Sequence, residues 1–101
     1  MDYVSQVAMT VHENWAALAT VMGEEPFVLT SGLGGKAHWS VDIPAHAWLV
    51  FGKESAGLPA ELLAAHPDRC VQIPMVEGTR GLNLSTAAGI LVYEALRQAC
   101  A

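Results

Sequence analysis

The stretch Trp48-Leu49-Val50-Phe51-Gly52-Lys53-Glu54-Ser55-Ala56-Gly57-Leu58-Pro59 decides the fold class. Its first four residues are apolar without polar alternation, which suits a strand covered on both faces. Gly52 ends that run. Leu58-Pro59 then opens a short helix through Leu62 and Leu63, with proline at a helix-start position.

The same order extends outward on both sides. Upstream, Pro26-Phe27-Val28-Leu29-Thr30 reads as a second buried strand ending in Ser31-Gly32, and Gly32-Leu33-Gly34-Gly35 as a flexible turn. Before it, Thr10 and Glu13 have capping-box spacing, and Val11, Trp15, Leu18 and Met22 recur at helical intervals, so a helix is expected there, stopped by Gly23. Downstream, Cys70-Val71-Gln72-Ile73-Pro74 reads as a third strand. The last helix starts near Asn83 or Ser85 and presents Leu84, Ala88, Leu91, Val92, Ala95 and Leu96 on one face. Non-alternating strands separated by helices predict an α/β domain with a parallel sheet covered on both faces. Such sheets bind ligands beyond the carboxyl ends of their strands. That rule lines up Thr30-Ser31-Gly32, Gly52-Lys53-Glu54 and the residues from Met75 to Ser85 along one edge. With no internal repeat or low-complexity linker, residues 1–101 are expected to form a single domain.

Composition narrows the function. The net charge is −5, with only Lys36, Lys53, Arg69, Arg80 and Arg97 basic, which argues against strong nonspecific nucleic-acid binding. The chain is 52% apolar, too much for a disordered one, and a chain this small and apolar is expected to hide part of that surface in a symmetric dimer. Cys70 and Cys100 fit no CxxC pattern, and His12, His38, His46 and His66 have no metal-ligand spacing with them, so free thiols and no metal site are expected. Met1-Asp2-Tyr3 lacks the charged and apolar regions of a secretion signal, and no apolar run approaches the roughly 20 residues that span a bilayer. A cytoplasmic protein without a membrane partner is expected.

Two glycine-rich segments are candidates for a phosphate loop or a dinucleotide fingerprint, and neither has the required spacing. In Phe51 to Leu58 the lysine follows the first glycine rather than the last, with no Ser or Thr directly after it. Gly32 to Gly35 lacks G-x-G-x-x-G spacing. Both read better as turns that let the backbone approach another group closely.

Phe51-Gly52-x-Glu54-x-x-Gly57-Leu58 resembles the second signature of the SPOUT superfamily, in its TrmH/SpoU-like branch. Ile73-Pro74-Met75, Arg80-Gly81-Leu82-Asn83-Leu84-Ser85, Ala87 and Val92-Tyr93-Glu94-Ala95 resemble the third. Val92 to Gln98, Asp2-Tyr3 and Val11-His12-Glu13-Asn14-Trp15 look most like the small tRNA wobble-position (cytidine/uridine) 2′-O-methyltransferases, so the resemblance covers essentially the whole chain. It implies an α/β-knot domain whose C-terminal part threads a trefoil knot. It also implies a homodimer, S-adenosyl-L-methionine held in the knot loops, and RNA as substrate, in the tRNA anticodon region. Carried over by position, Leu29, Thr30, Gly52, Ile73, Met75, Gly81, Leu82 and Ser85 would bind the cofactor. Glu54, Arg80 and Asn83 would serve catalysis. The reaction implied is ribose 2′-O-methylation, in which the enzyme positions an electrophilic sulfonium in line with a hydroxyl and helps remove its proton.

Each of these residues also has a plainer reading. Glu54 could cap the helix near Pro59 or pair with Lys53, and Arg80 could be a surface charge or contact RNA phosphate. Asn83 and Ser85 are plausible helix caps. Tyr93 and Glu94 read as structural or interfacial. Trp15, Trp39 and Trp48 read as core or dimer contacts, with stacking on a base as the alternative. The chain departs from the family pattern twice. The Asn-x-Gly-Asn-x-x-Arg signature that opens the family domain has no match, so the domain is expected to be N-terminally shortened, without the Arg that the family uses to activate the ribose hydroxyl. Gly81 also stands where many members carry Ser. An alternative expectation is therefore a non-catalytic knotted dimer that binds S-adenosylmethionine.

Overall fold

Asn14 shows how locally the helices are set. In a computed structural model, which describes residues 8–32, 35–53, 56–75 and 83–100, its side-chain oxygen accepts the Ala17 N–H at 2.9 Å and starts α1 (Trp15–Met22). The expected start at Thr10 is thus corrected. An Asn in extended backbone satisfies a free N–H of the first turn, and Val11 upstream is 89% exposed rather than part of the apolar stripe. Gly23 ends α1 at φ +60°, donating its N–H to the Ala19 carbonyl at 2.9 Å.

Four strands follow the expected segments and add one. They are β1 (Phe27–Thr30), β2 (Lys36–Ala37), β3 (Trp48–Val50) and β4 (Cys70–Gln72). All pair in parallel, in the order β2-β4-β1-β3. The register aligns Leu29 with Val50 and Cys70, and Thr30 with Val71. Strand β2 was not expected, since two residues carry no periodicity. Gly35 admits it. At φ +90° the chain passes so close to β4 that a β-carbon on Gly35 would sit 2.9 Å from the Cys70 carbonyl oxygen.

Alternation in the strands feeds two cores. Val28 and Val71 are buried against Leu91 of α3 (Leu84–Cys100), with Val41, Leu49, Phe51 and Ile73 around them. On the opposite face Phe27 meets Trp15 of α1 edge-to-face, at 5.9 Å between ring centres. Phe27 also meets His66, just past α2 (Ala60–Ala65), at 5.1 Å. The Arg69 guanidinium lies 4.4 Å from the centre of the Phe27 ring and donates to the Phe27 carbonyl at 3.3 Å. The sheet is thus covered by α1 and α2 on one side and α3 on the other, as expected for α/β. The predicted single face of α3 splits in two. Leu91 is fully buried, whereas Leu84, Val92 and Leu96 are 41–50% exposed.

Candidate functional site

Because β1 lies between β3 and β4, the carboxyl ends of three consecutive strands stand side by side. Thr30, Gly52 and Ile73, each at or just past a strand end, come together along that edge. Parallel neighbours lie about 4.8 Å apart, so the three ends span about 10 Å, the width of a purine nucleoside. The Thr30 hydroxyl donates to the Val50 carbonyl at 3.1 Å, and the Ser31 N–H to the Val71 carbonyl at 2.8 Å. These two bonds fasten β1 to both neighbours just where the chains turn away.

The turn after β3 is closed on itself. Gly57 donates its N–H to the Lys53 carbonyl at 2.7 Å and sits at φ +69°. A β-carbon on Gly52 would overlap the backbone of Gly57 and Leu58. Only glycine at this position lets the returning chain pass, which accounts for the Gly52–Gly57 spacing singled out in the sequence. Glu54, placed inside this turn by the sequence, lies outside the described residues.

Ile73 is half-buried against the Val28–Val71–Leu91 core, and Met75, two residues on, is 41% exposed. The pair gives the edge an apolar wall. Leu29 is fully buried, so its side chain is a core residue of the α1–α2 side and not part of an open surface. Arg80, Gly81 and Leu82 lie outside the described residues. Beyond them, Asn83 accepts the Thr86 N–H on its side-chain oxygen at 2.8 Å and caps α3, with Ser85 exposed in the first turn.

Sequence reasoning missed one neighbour of this edge. The register of β2 on β4 aligns Ala37 with Gln72, which brings the single helical turn His38–Ser40 next to Ile73. His38 meets Trp39 edge-to-face at 4.9 Å, and its Nδ1 is buried with no hydrogen-bond partner among the described residues. No residue pattern announces a two-residue strand, so nothing in the sequence could place this turn.

The charges are arranged unevenly. Arg69 is held by Phe27 at the amino end of β1. Arg97 is held by Glu94, whose carboxyl is lowered to about 2 by hydrogen bonds from Arg97 and Gln98. Lys36 opens β2, level with Val71 and Thr30, and Lys53 follows the carboxyl end of β3; both are exposed and form no ion pair among the described residues. Burial, and then the charge of Asp68, raise the Cys70 thiol, whose sulfur lies 3.4 Å from the His66 carbonyl. Cys70 and Cys100 are free thiols. Among the described residues no cluster of His, Cys, Asp or Glu could hold a metal ion, and no helix is long and apolar enough to cross a membrane.

Residues 1–93 match the SpoU rRNA Methylase family. The chain is 38% identical to a tRNA (cytidine(34)-2′-O)-methyltransferase of Burkholderia ambifaria, over 98% of this chain and 65% of that protein. It therefore spans just under two thirds of the length of the curated relatives it matches. A solved structure described as giving insights into 2-OH methylation of C/U34 on tRNA superposes with a TM-score of 0.88 at 32% identity, covering 100% of this chain and 62% of the other. An S-adenosylmethionine-bound rRNA methyltransferase from Sinorhizobium meliloti superposes with a TM-score of 0.62 at 34% identity, covering 72% of this chain and 28% of the other.

Proposed function

The chain belongs to the SpoU rRNA methylase family of SPOUT RNA methyltransferases, and from that premise we propose that it acts in S-adenosylmethionine-dependent 2′-O-methylation of tRNA at the wobble nucleotide. The observation that carries this reading is the edge formed by Thr30, Gly52 and Ile73 at three adjacent parallel strand ends. Its chemistry fits an adenosyl group. Adenine needs apolar walls and a few fixed polar groups, and Ile73, Met75 and the Gly52 turn offer both. In this reading Thr30, Gly52, Ile73, Met75, Gly81, Leu82 and Ser85 hold the cofactor, and Leu29 supports them from the core. The cofactor supplies the methyl group as an activated sulfonium. Glu54, Arg80 and Asn83 orient the ribose or assist its proton, with Asn83 also fixing the start of α3.

The same reading makes residues 1–101 one domain, with its C-terminal segment threaded as a knot, located in the cytoplasm with its tRNA. It also makes the protein a homodimer. Val92, Tyr93 and Leu96 are 45%, 74% and 50% exposed on α3, and an apolar helix face of this kind suits burial against a second copy. The deciding experiment is transfer of labelled methyl from S-adenosylmethionine to tRNA, followed by mapping of the modified nucleotide. Label on the ribose of nucleotide 34 is expected. Cofactor binding without any transfer would leave only a binding module.

A further inference from the structure

Trp39 stands in the helical turn His38–Ser40, which packs against α3. It is 59% exposed, in the turn that follows β2, and the β2–β4 register sets that turn beside Ile73 at the carboxyl edge. Its ring is braced from one side by His38, at 4.9 Å and 66°. An aromatic ring held in this way loses little freedom when a flat partner lands on it. Lys36, three residues earlier, is exposed and forms no ion pair among the described residues.

Charge points to the kind of partner. Of the described cations Arg69 and Arg97 are already engaged, which leaves Lys36 and Lys53 free to meet phosphate. With few free cations described, an exposed, braced aromatic beside the reaction edge is the natural second source of affinity for RNA, through stacking. Among the described aromatics of the sheet, Trp15 and Phe27 are committed to each other, and Trp48 donates its Nε1–H to Glu25 at 3.2 Å. We propose that Trp39 is a stacking platform for an unpaired base of the substrate RNA, with Lys36 contacting an adjoining phosphate. The proposal rests on the RNA-methylation reading and adds to it a residue that binds and positions the substrate.

The test is binding of a fluorescent tRNA anticodon stem-loop by anisotropy, for the wild-type chain, W39A and W39F. Cofactor affinity by calorimetry and mass by sedimentation are measured alongside. We expect W39A to bind the stem-loop about tenfold more weakly and W39F to recover most of the loss, since stacking tolerates any aromatic face. Cofactor affinity and mass should not change. A series of stem-loops with one abasic nucleotide each gives a second readout that needs no variant to be stable. One loop position should weaken wild-type binding, and W39F should respond at the same position. Equal binding by wild type and W39A overturns the proposal, as does an abasic series without effect. Weaker binding by W39A together with a lower mass also overturns it, because Trp39 is then a subunit contact. No stem-loop binding by the wild type would overturn the RNA reading itself, a result distinct from binding that W39A retains.

Discussion

At the scale of single residues, the site depends more on what is absent from Gly52 than on any side chain it carries. A β-carbon there would occupy the space of the Gly57–Leu58 backbone, and backbone, unlike the end of a flexible side chain, cannot swing away. G52A is expected to open the turn, cost about 1–3 kcal/mol or more, and abolish cofactor binding. Thermal melting and calorimetry with S-adenosylmethionine check both effects. Near-wild-type affinity would remove this turn from the site. Glu94 offers a pH test. Hydrogen bonds from Arg97 and Gln98 lower its carboxyl to about 2 from an ordinary value of 4.5. A carboxyl lowered in the folded state binds its proton more readily when unfolded. Its contribution is therefore complete above about 4.5 and is lost as pH falls through about 2. E94Q should melt lower than the wild type at neutral pH, and the gap should narrow across that acidic window. A gap constant with pH would show that the ion pair is not its source.

At the scale of elements, α3 is the main connector, and its polar face does work the sequence did not advertise. Gln98 accepts the Ile43 N–H at 2.7 Å and donates to the Val41 carbonyl at 2.8 Å and to Glu94 at 2.8 Å, fastening the segment before β3 to the last helix. Ile43 is 7% exposed, so removing this acceptor leaves a buried N–H unpaired. Q98A should cost about 1–3 kcal/mol in urea unfolding, with faster hydrogen exchange at Ile43. An unchanged midpoint would mean that water replaces the amide. These elements also show where the sequence was readable. The three runs became β1, β3 and β4 because strands covered on both faces are apolar at nearly every position, with polar Thr30 and Gln72 only at the carboxyl ends of β1 and β4. Gly23 ended α1 as its φ requires. The start of α1 was misread because two capping signals lie within five residues and only Asn14 reaches an N–H. The stripe of α3 was misread because 3.6-residue periodicity identifies apolar positions without saying which layer covers them. Leu91 went to the core, while Val92 and Leu96 stayed outside.

At the scale of the whole molecule, the parallel topology assembled the edge from residues twenty or more positions apart, and this was legible because ligand sites follow strand order. The position of Trp39 was not legible, since it depends on β2, which only the backbone pairing reveals. The charge pattern carries the last consequence. Lys36 and Lys53 are the described cations at the carboxyl edge, in a chain with a net charge of −5. Two phosphate contacts on single-stranded RNA give a slope of log affinity against log salt of about −1.4, so raising salt from 50 to 200 mM should weaken stem-loop binding only about sevenfold. A binder held by six or more phosphate contacts would lose a few hundredfold or more over the same range. Anisotropy titrations across that range decide between the two. A steep slope would require cations beyond Lys36 and Lys53, and would remove the reason for assigning a second source of affinity to stacking. A shallow slope that W39A leaves unchanged, while its affinity falls at every salt concentration, would separate the two contributions, because stacking on Trp39 releases no counterions and the lysines do.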